Sequence, residues 1–333
     1  MKAIFLCEKT DKLFSVYTKD TVDKLCTIVG IENKIYSKAD ILNTPNAFID
    51  VRFIFSTWGM PQFSEDEIKE YFPSLECVFY GAGTVQKFAR PFINSGIKVF
   101  SAWAANAVPV AEMTVAQIIL ANKGYYLTSR LYRNNGVKSA KEAFAKCRGN
   151  YGETVGIIGA GMIGKLVIQM LKSYNLKVLV FDPFLPDQKA IELGVEKCDL
   201  LTLFERSIVV SNHLANNEQT KGMLGYRLFT KMRENAVFIN TGRGAQVVED
   251  DLARVLTERK DLTALLDVTY PEPPIESHPF YTLENCVLTP HIAGSAGDEV
   301  ARMGEYMLDE FKAYVNKEPT RYEVTLKMLE TMA

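Results

Sequence analysis

An arginine, a carboxylate and a histidine stand in three separate loops of the chain: Arg243 in NTGRG (240–244), Glu272 in YPEP and His291 in TPHIAG. Each closes an apolar run that reads as a strand, so each sits where the carboxyl ends of a parallel sheet face a ligand. Guanidinium grips a carboxylate at two points, which lysine does less well. Imidazole starts from a pKa of about 6.5 and can give or take a proton near neutrality. A carboxylate beside it fixes its tautomer and raises its pKa. Arg243, His291 and Glu272 are therefore the parts needed to hold a 2-keto acid and protonate it. Singly, each has a plainer reading: Arg243 as a surface ion-pair partner, Glu272 as a turn residue, His291 bonded within its own loop.

A second group of residues supplies the other reactant. Gly159, Gly161 and Gly164 form GxGxxG directly after the apolar strand VGII and directly before a helix. The first glycine allows the tight turn, the second lets a pyrophosphate approach the backbone, and the third lets helix and strand pack closely. Met162 and Ile163 would contribute backbone N–H groups at the helix start. Asp182 ends the next strand, where a carboxylate accepts from ribose hydroxyls and repels a 2′-phosphate. The residues after it, Pro183 and Phe184, carry no positive charge, so NAD is preferred over NADP. No metal is expected.

The elements that must position these groups alternate strand and helix. KAIFLC (2–7), VRFIFST (51–57), ECVFYGAG (76–83) and IKVFSA (97–102) read as strands, with SEDEIKEYF opening on a Ser64/Glu67 capping box. A long helix over about 107–133 follows, with Pro109 in its first turn, and then a polar stretch. The pattern restarts with TVGIIGAG, KVLVFDP, SIVVSNH, NAVFINTG, TALLDV and NCVLTP, six strands separated mostly by helical stretches. This predicts doubly wound α/β domains with parallel sheets. Beyond 294, DEVARMGEYMLDEFKAYVNK is an amphipathic helix that cannot continue the second sheet and is expected to return to the first domain.

A chain of 333 residues exceeds one ordinary core and predicts two domains. The net charge of −2 offers no bulk attraction to nucleic acid or an acidic membrane. The stretch AWAANAVPVAEMTVAQIILA carries Asn106, Pro109, Glu112 and Gln117 and fails as a bilayer span. The six cysteines form no CxxC pair, which fits free thiols in a reducing cytoplasm.

The motifs VGIIGAGMIG…FDP, SNHLANNEQTKGML, FINTGRGAQVVEDDL, LLDVTYPEP and LTPHIAG together resemble the D-isomer-specific 2-hydroxyacid dehydrogenase family. The resemblance covers nearly the whole chain. It implies a Rossmann cofactor domain (104–292) inserted in a flavodoxin-like substrate domain (1–103 and 293–333), NAD as cofactor, and a homodimer built on the 107–133 helix region. It supports Arg243, Glu272 and His291 as the catalytic set. It further implies that Asp267 contacts the nicotinamide amide, that Thr241 and Gly242 line the cofactor, and that His213 lies beside it without doing chemistry. Backbone N–H groups of the turn at 81–83, with Ala82 and Gly83, would hold the substrate carboxylate. STWGMP (56–61) departs from the small-residue loop usual there, so Trp58 and Met60 either shape an unusual pocket or simply pack. The activity implied is hydride transfer between the nicotinamide and a small D-2-hydroxy or 2-keto acid. Two rivals stay open: the same fold acting on phosphite or another small oxyanion, and an NAD-sensing regulator that keeps the same three residues. Formate is disfavoured, since formate enzymes of this family carry Gln where Glu272 stands.

Overall fold

The computed structural model of the chain describes residues 1–330, so the last three positions of the 293–333 segment lie outside it. Strands β1 (Lys2–Leu6), β2 (Gly30–Tyr36), β3 (Val51–Ser56), β4 (Cys77–Tyr80) and β5 (Lys98–Ser101) come first. Then follow β6 (Tyr151–Ile158), β7 (Asn175–Phe181), β8 (Glu196–Lys197) and β9 (Val209–Asn212). β10 (Val237–Asn240), β11 (Thr263–Leu266), β12 (Cys286–Leu288) and β13 (Glu323–Val324) complete the set among the described residues. They form two sheets in two compact units. One unit is Met1–Asn106 with the stretch from Ser295 onward, and the other is Ala107–Gly294.

The first sheet has the order β13-β5-β4-β3-β1-β2. β1 to β5 run parallel, and β13 adds antiparallel to β5. The parallel part is the flavodoxin-like doubly wound order. Its core is aromatic because register aligns three phenylalanines across neighbouring strands. Phe55, Phe79 and Phe100 are register partners, and their rings stack at 5.2 and 5.0 Å. Phe311, from the amphipathic helix Ala301–Val315, meets Phe55 and Phe79 edge-on at 5.3 and 5.5 Å. Such offset and edge contacts add to the area buried. The apolar stripe of that helix is thus covered by the first sheet.

The second sheet has the order β12-β11-β10-β9-β6-β7-β8, parallel throughout. This is the Rossmann order with one further strand. β9, β10 and β11 are buried at every position, as a sheet covered on both faces requires. One apolar layer, with Phe204, Phe229 and Phe238, covers one face, and a second layer, with Val167, Ile168 and Leu171, covers the other.

The differences from the sequence reading fall at edges and breaks. β2 reads poorly as a strand because it lies at a sheet edge and is mostly exposed, so GIENKIY carries no apolar run. β8 and β13 are two-residue edge strands, too short for any periodicity. The single helix expected over 107–133 is Trp103–Asn122 followed by Tyr125–Phe144, and the latter is itself broken at Gly136 (φ 81°, ψ 175°). Gly124 separates them in a left-handed conformation, φ 69°. The second helix takes up much of the stretch read as polar loop. The first begins earlier than expected, so Pro109 lies inside it rather than in its first turn. There the missing N–H leaves the carbonyl of Ala105 without its helical partner.

Candidate active site

The glycine turn joins β6 to the helix Met162–Leu171. Gly159 has φ 88°, and a Cβ there would sit 2.7 Å from the carbonyl oxygen of His213. A Cβ on Gly164 would come within 2.0 Å of the Gly159 carbonyl. Neither position admits a side chain. Around Gly161 the situation is the reverse: a Cβ would meet nothing within 4 Å, so this glycine borders open space. The helix behind it has no side-chain cap, which leaves the N–H groups of Met162 and Ile163 free to meet an anion. Asp182 follows β7 and accepts from Ala160 N–H at 2.7 Å and Phe184 N–H at 2.8 Å. The carboxylate is thereby fixed against the glycine turn with lone pairs to spare for hydroxyls. These residues fit a dinucleotide: an open glycine, uncapped donors and an anchored acid.

His213 follows β9 and is buried. Its Nε2 shares a hydrogen bond with Ser211 Oγ at 2.9 Å, and its Nδ1 has no partner among the described residues. Burial pushes its pKa down to about 4, so the ring is neutral at physiological pH.

Arg243 is carried by the turn after β10. Beneath it lies a buried amide network that sequence reasoning missed. Asn212 Nδ2 donates to Asn240 Oδ1 at 3.0 Å and to Gln246 Oε1 at 2.6 Å. Asn240 accepts from Gly242 N–H at 3.1 Å and donates to the Arg243 carbonyl at 3.1 Å. Gln246 Nε2 donates to the carbonyls of Leu214 and Ala215. Every member is paired, which is what lets three amides sit in a core. The available signal was polar residues ending otherwise apolar strands, SN in β9 and IN in β10. Thr241 is buried and shares a 3.1 Å hydrogen bond with Thr114. Gly244 lies so close to Thr269 that a Cβ would fall 2.0 Å from its backbone carbon. The loop is thus locked, while the Arg243 guanidinium is not. Among the described residues its side chain donates only to the Gly242 carbonyl, at 2.8 Å. Burial lowers its pKa, and the charge of Glu272 opposes that shift.

His291 and Glu272 are brought together, with His291 Nδ1 and Glu272 Oε1 2.7 Å apart. Both side chains are half-exposed, at 47% and 42%. His291 has φ 54°, a left-handed conformation that few residues other than glycine adopt and that histidine tolerates better than most. Asp267, buried at the end of β11, holds it there. Its carbonyl accepts from His291 N–H at 3.0 Å. Its carboxylate accepts from Thr289 Oγ1 at 2.6 Å, Ile292 N–H at 2.8 Å and Ala293 N–H at 2.9 Å. Pro273, Pro274, Tyr281 and Leu288 line a depression beside the pair.

The remaining sequence-derived residues lie in the first unit. Trp58 follows β3 and is half-buried, and its carbonyl accepts from the Cys7 thiol at 3.2 Å. Ala82 and Gly83 follow β4, and Ser101 Oγ donates to both their carbonyls, at 2.9 and 2.6 Å. Gly81 N–H and Ala82 N–H are already given to the carbonyls of Ser56 and Tyr80. Gly83 N–H is the donor this turn keeps free among the described residues.

The model of the D-isomer specific 2-hydroxyacid dehydrogenase NAD-binding domain matches residues 115–293. The chain is 36% identical over 209 residues to the Bacillus subtilis protein YoaD, which is 60% of this chain and 58% of that relative, under two thirds of its length. It is 31% identical over 217 residues to a hydroxypyruvate reductase of Thermotoga maritima, covering 65% of this chain and 69% of that one. A crystal structure of a phosphoglycerate oxidoreductase from Rhizobium etli superimposes with a TM-score of 0.81 at 21% identity, over 98% of this chain and 99% of that one, a likeness of fold.

Proposed function

The chain belongs to the D-isomer specific 2-hydroxyacid dehydrogenase family, and on that premise we propose that it reversibly reduces a small 2-keto acid to the D-2-hydroxy acid at the expense of NADH. The observation that carries this is the 2.7 Å contact of His291 Nδ1 with Glu272. It commits one ring nitrogen to the carboxylate and leaves Nε2 for substrate. The glycine turn and Asp182 would hold NADH, which would supply the hydride when bound. Arg243 grips the substrate carboxylate with a guanidinium that no carboxylate of the described residues occupies. His291 Nε2 gives its proton to the C2 oxygen as negative charge builds there, and Glu272 stabilises the charged ring before that step. In the oxidising direction the neutral ring takes the proton back. Asp182 selects NAD, with Thr241, Gly242 and His213 around the cofactor. Asp267 serves as a cofactor contact and also as the anchor of the His291 loop.

On this reading, residues 104–292 serve the cofactor and 1–103 with 293–333 serve the substrate, through Trp58 and the N–H of Gly83, with Ala82 shaping the turn that presents it. The protein is a cytoplasmic homodimer joined through the 107–133 region. The side chains of Leu120, Tyr125 and Tyr132, 39–61% exposed, support that surface. The six free thiols support a reducing compartment. The test is NADH oxidation over a panel of 2-keto acids including hydroxypyruvate and glyoxylate, with the product's configuration determined. Turnover giving the D-product supports the reading. A protein that binds NADH yet turns over none of the panel defeats it.

A further inference from the structure

The loop that carries Glu272 is exposed from Tyr270 to Ser277, apart from half-buried Pro274. A carboxylate on such a loop can face His291 only if the loop is fixed at its ends. Two polar side chains that the reaction does not use meet at those ends. Glu249, the first residue of the helix Glu249–Glu258, accepts from Tyr270 N–H at 2.7 Å through Oε1. Its other oxygen, Oε2, lies 3.8 Å from His278 Nε2, and both side chains are only 10% exposed. His278 Nδ1 accepts from Phe280 N–H at 3.3 Å. That bond requires Nδ1 to be bare, so the ring proton is on Nε2, the nitrogen 3.8 Å from Glu249. The His278 ring is further held against Phe280, with centroids 4.2 Å apart.

We propose, building on the function proposed above, that Glu249 and His278 form a latch that closes the 270–278 loop and sets the position of Glu272 against His291. Both are positioning residues. One carboxylate takes a hydrogen bond from the backbone at the start of the loop and lies 3.8 Å, longer than a hydrogen bond, from the imidazole at its end, so a single buried group faces both ends. Two further hydrogen bonds assist: Thr269 Oγ1 donates to the Pro271 carbonyl at 2.9 Å, and Tyr281 Oη to the Pro274 carbonyl at 3.2 Å. The helix N-terminus favours a carboxylate at Glu249. Burial nevertheless pushes its pKa up to about 7, with Asp250 adding to the rise and Tyr270 N–H opposing it. An acid kept in so costly a place is better explained by its two partners than by solvation. Cys286 of β12 also lies in its field.

The test uses the whole chain and does not depend on turnover alone. The chain has three histidines, so the ring nitrogen resonances of each can be assigned and its tautomer read. In the wild type His291 should hold its proton on Nδ1 when neutral, and His278 on Nε2. Glu249→Ala should release His291 toward the mixed tautomers of free imidazole. It should lower kcat by about 10-fold or more while NADH affinity stays within about twofold, since a misplacement of about 1 Å costs up to about 100-fold. Glu249→Gln keeps an oxygen for Tyr270 N–H and should recover most of that loss. His278→Phe keeps the ring packing and should reproduce part of it, and it decides the matter if Glu249→Ala does not fold. A His291 tautomer unchanged in Glu249→Ala, or in His278→Phe where that variant must decide, overturns the latch. If the wild type reduces no 2-keto acid, the functional reading falls and the ring spectra still decide the latch.

Discussion

The glycine turn at 159–164 is shaped by backbone, whereas the His291–Glu272 pair is held by side chains reaching it from other segments. At the turn, the close approaches are glycine to carbonyl, Gly159 to His213 and Gly164 to Gly159. Asp182 then adds one hydrogen bond to Ala160 N–H. At the pair, His291 stands on a left-handed residue pinned by Asp267, and Glu272 stands on an exposed loop tied back by Glu249. The first arrangement is compact, and its close approaches are backbone to backbone. The second is half-exposed and depends on side chains from other segments. A nucleotide site needs a fixed anion cradle, which backbone supplies well. A proton donor needs a ring with one nitrogen committed and one free, which demands a second side chain at the right distance. Damage at the two places should therefore read out differently: at the turn as lost cofactor affinity, at the pair as lost turnover.

The sharpest way to break this contrast is His291→Ala. Loss of the acid–base group should lower kcat for reduction by roughly 10²–10⁴-fold, with NADH binding by fluorescence titration unchanged. Equal losses in both quantities would mean that the pair also builds the cofactor site. Arg243→Lys should rank next. It keeps the charge and removes the planar fork, so kcat/KM for the keto acid should fall roughly 10–100-fold through a charge-assisted contact. A kcat/KM within experimental error of wild type would remove Arg243 from the substrate.

The opposite outcome is expected at the turn. Asp182→Ala removes the ribose acceptor and the brace on Ala160 N–H together. NADH affinity should weaken by about 10-fold, the value of one hydrogen bond to a charged group. Saturating NADH should then restore most of kcat. NADPH, no longer repelled, should lose less than NADH or gain. If kcat fell at saturation as far as affinity did, the two places would be one coupled device rather than two.

The same division explains what could be read from the sequence. GAGMIG and Asp182 were legible because spacing along one strand–turn–helix unit dictates their geometry. Arg243, Glu272 and His291 were legible as types at strand ends, and the fold brings His291 and Glu272 into contact. Their supports were not. The Asn212–Asn240–Gln246 network joins three segments through side chains, and no local pattern marks which amides will meet. Glu249 looks like an ordinary acidic first turn of a helix until Tyr270 N–H is seen on it. In the fold, the buried parallel strands announced themselves as apolar runs. The exposed edge strand β2 and the break at Gly124 did not, because edge pairing and a single left-handed residue leave almost no trace in composition.

The finest test of the contrast concerns the two histidines themselves. His291 is half-exposed with a carboxylate on one nitrogen, whereas His213 is buried with Nδ1 unpartnered. Burial holds the His213 pKa at about 4 in the folded chain, against its ordinary value of about 6.5 when unfolded. Between those values the unfolded chain binds a proton that the folded chain refuses. Stability from this residue is therefore fully present above about pH 6.5 and is lost as pH falls toward about 4, to a total on the order of 3 kcal/mol. Many carboxylates titrate in the same window, so the quantity to measure is a difference: urea unfolding of wild type and His213→Gln across pH 4–7, without cofactor. The wild type should lose stability on acidification faster than the variant, and the gap between them should narrow or reverse at the acid end. Parallel curves would mean that His213 is reached by water or a partner in the folded chain. The backbone-built end of the site would then be as open to solvent as the catalytic pair, and the contrast drawn between them would fail at that point.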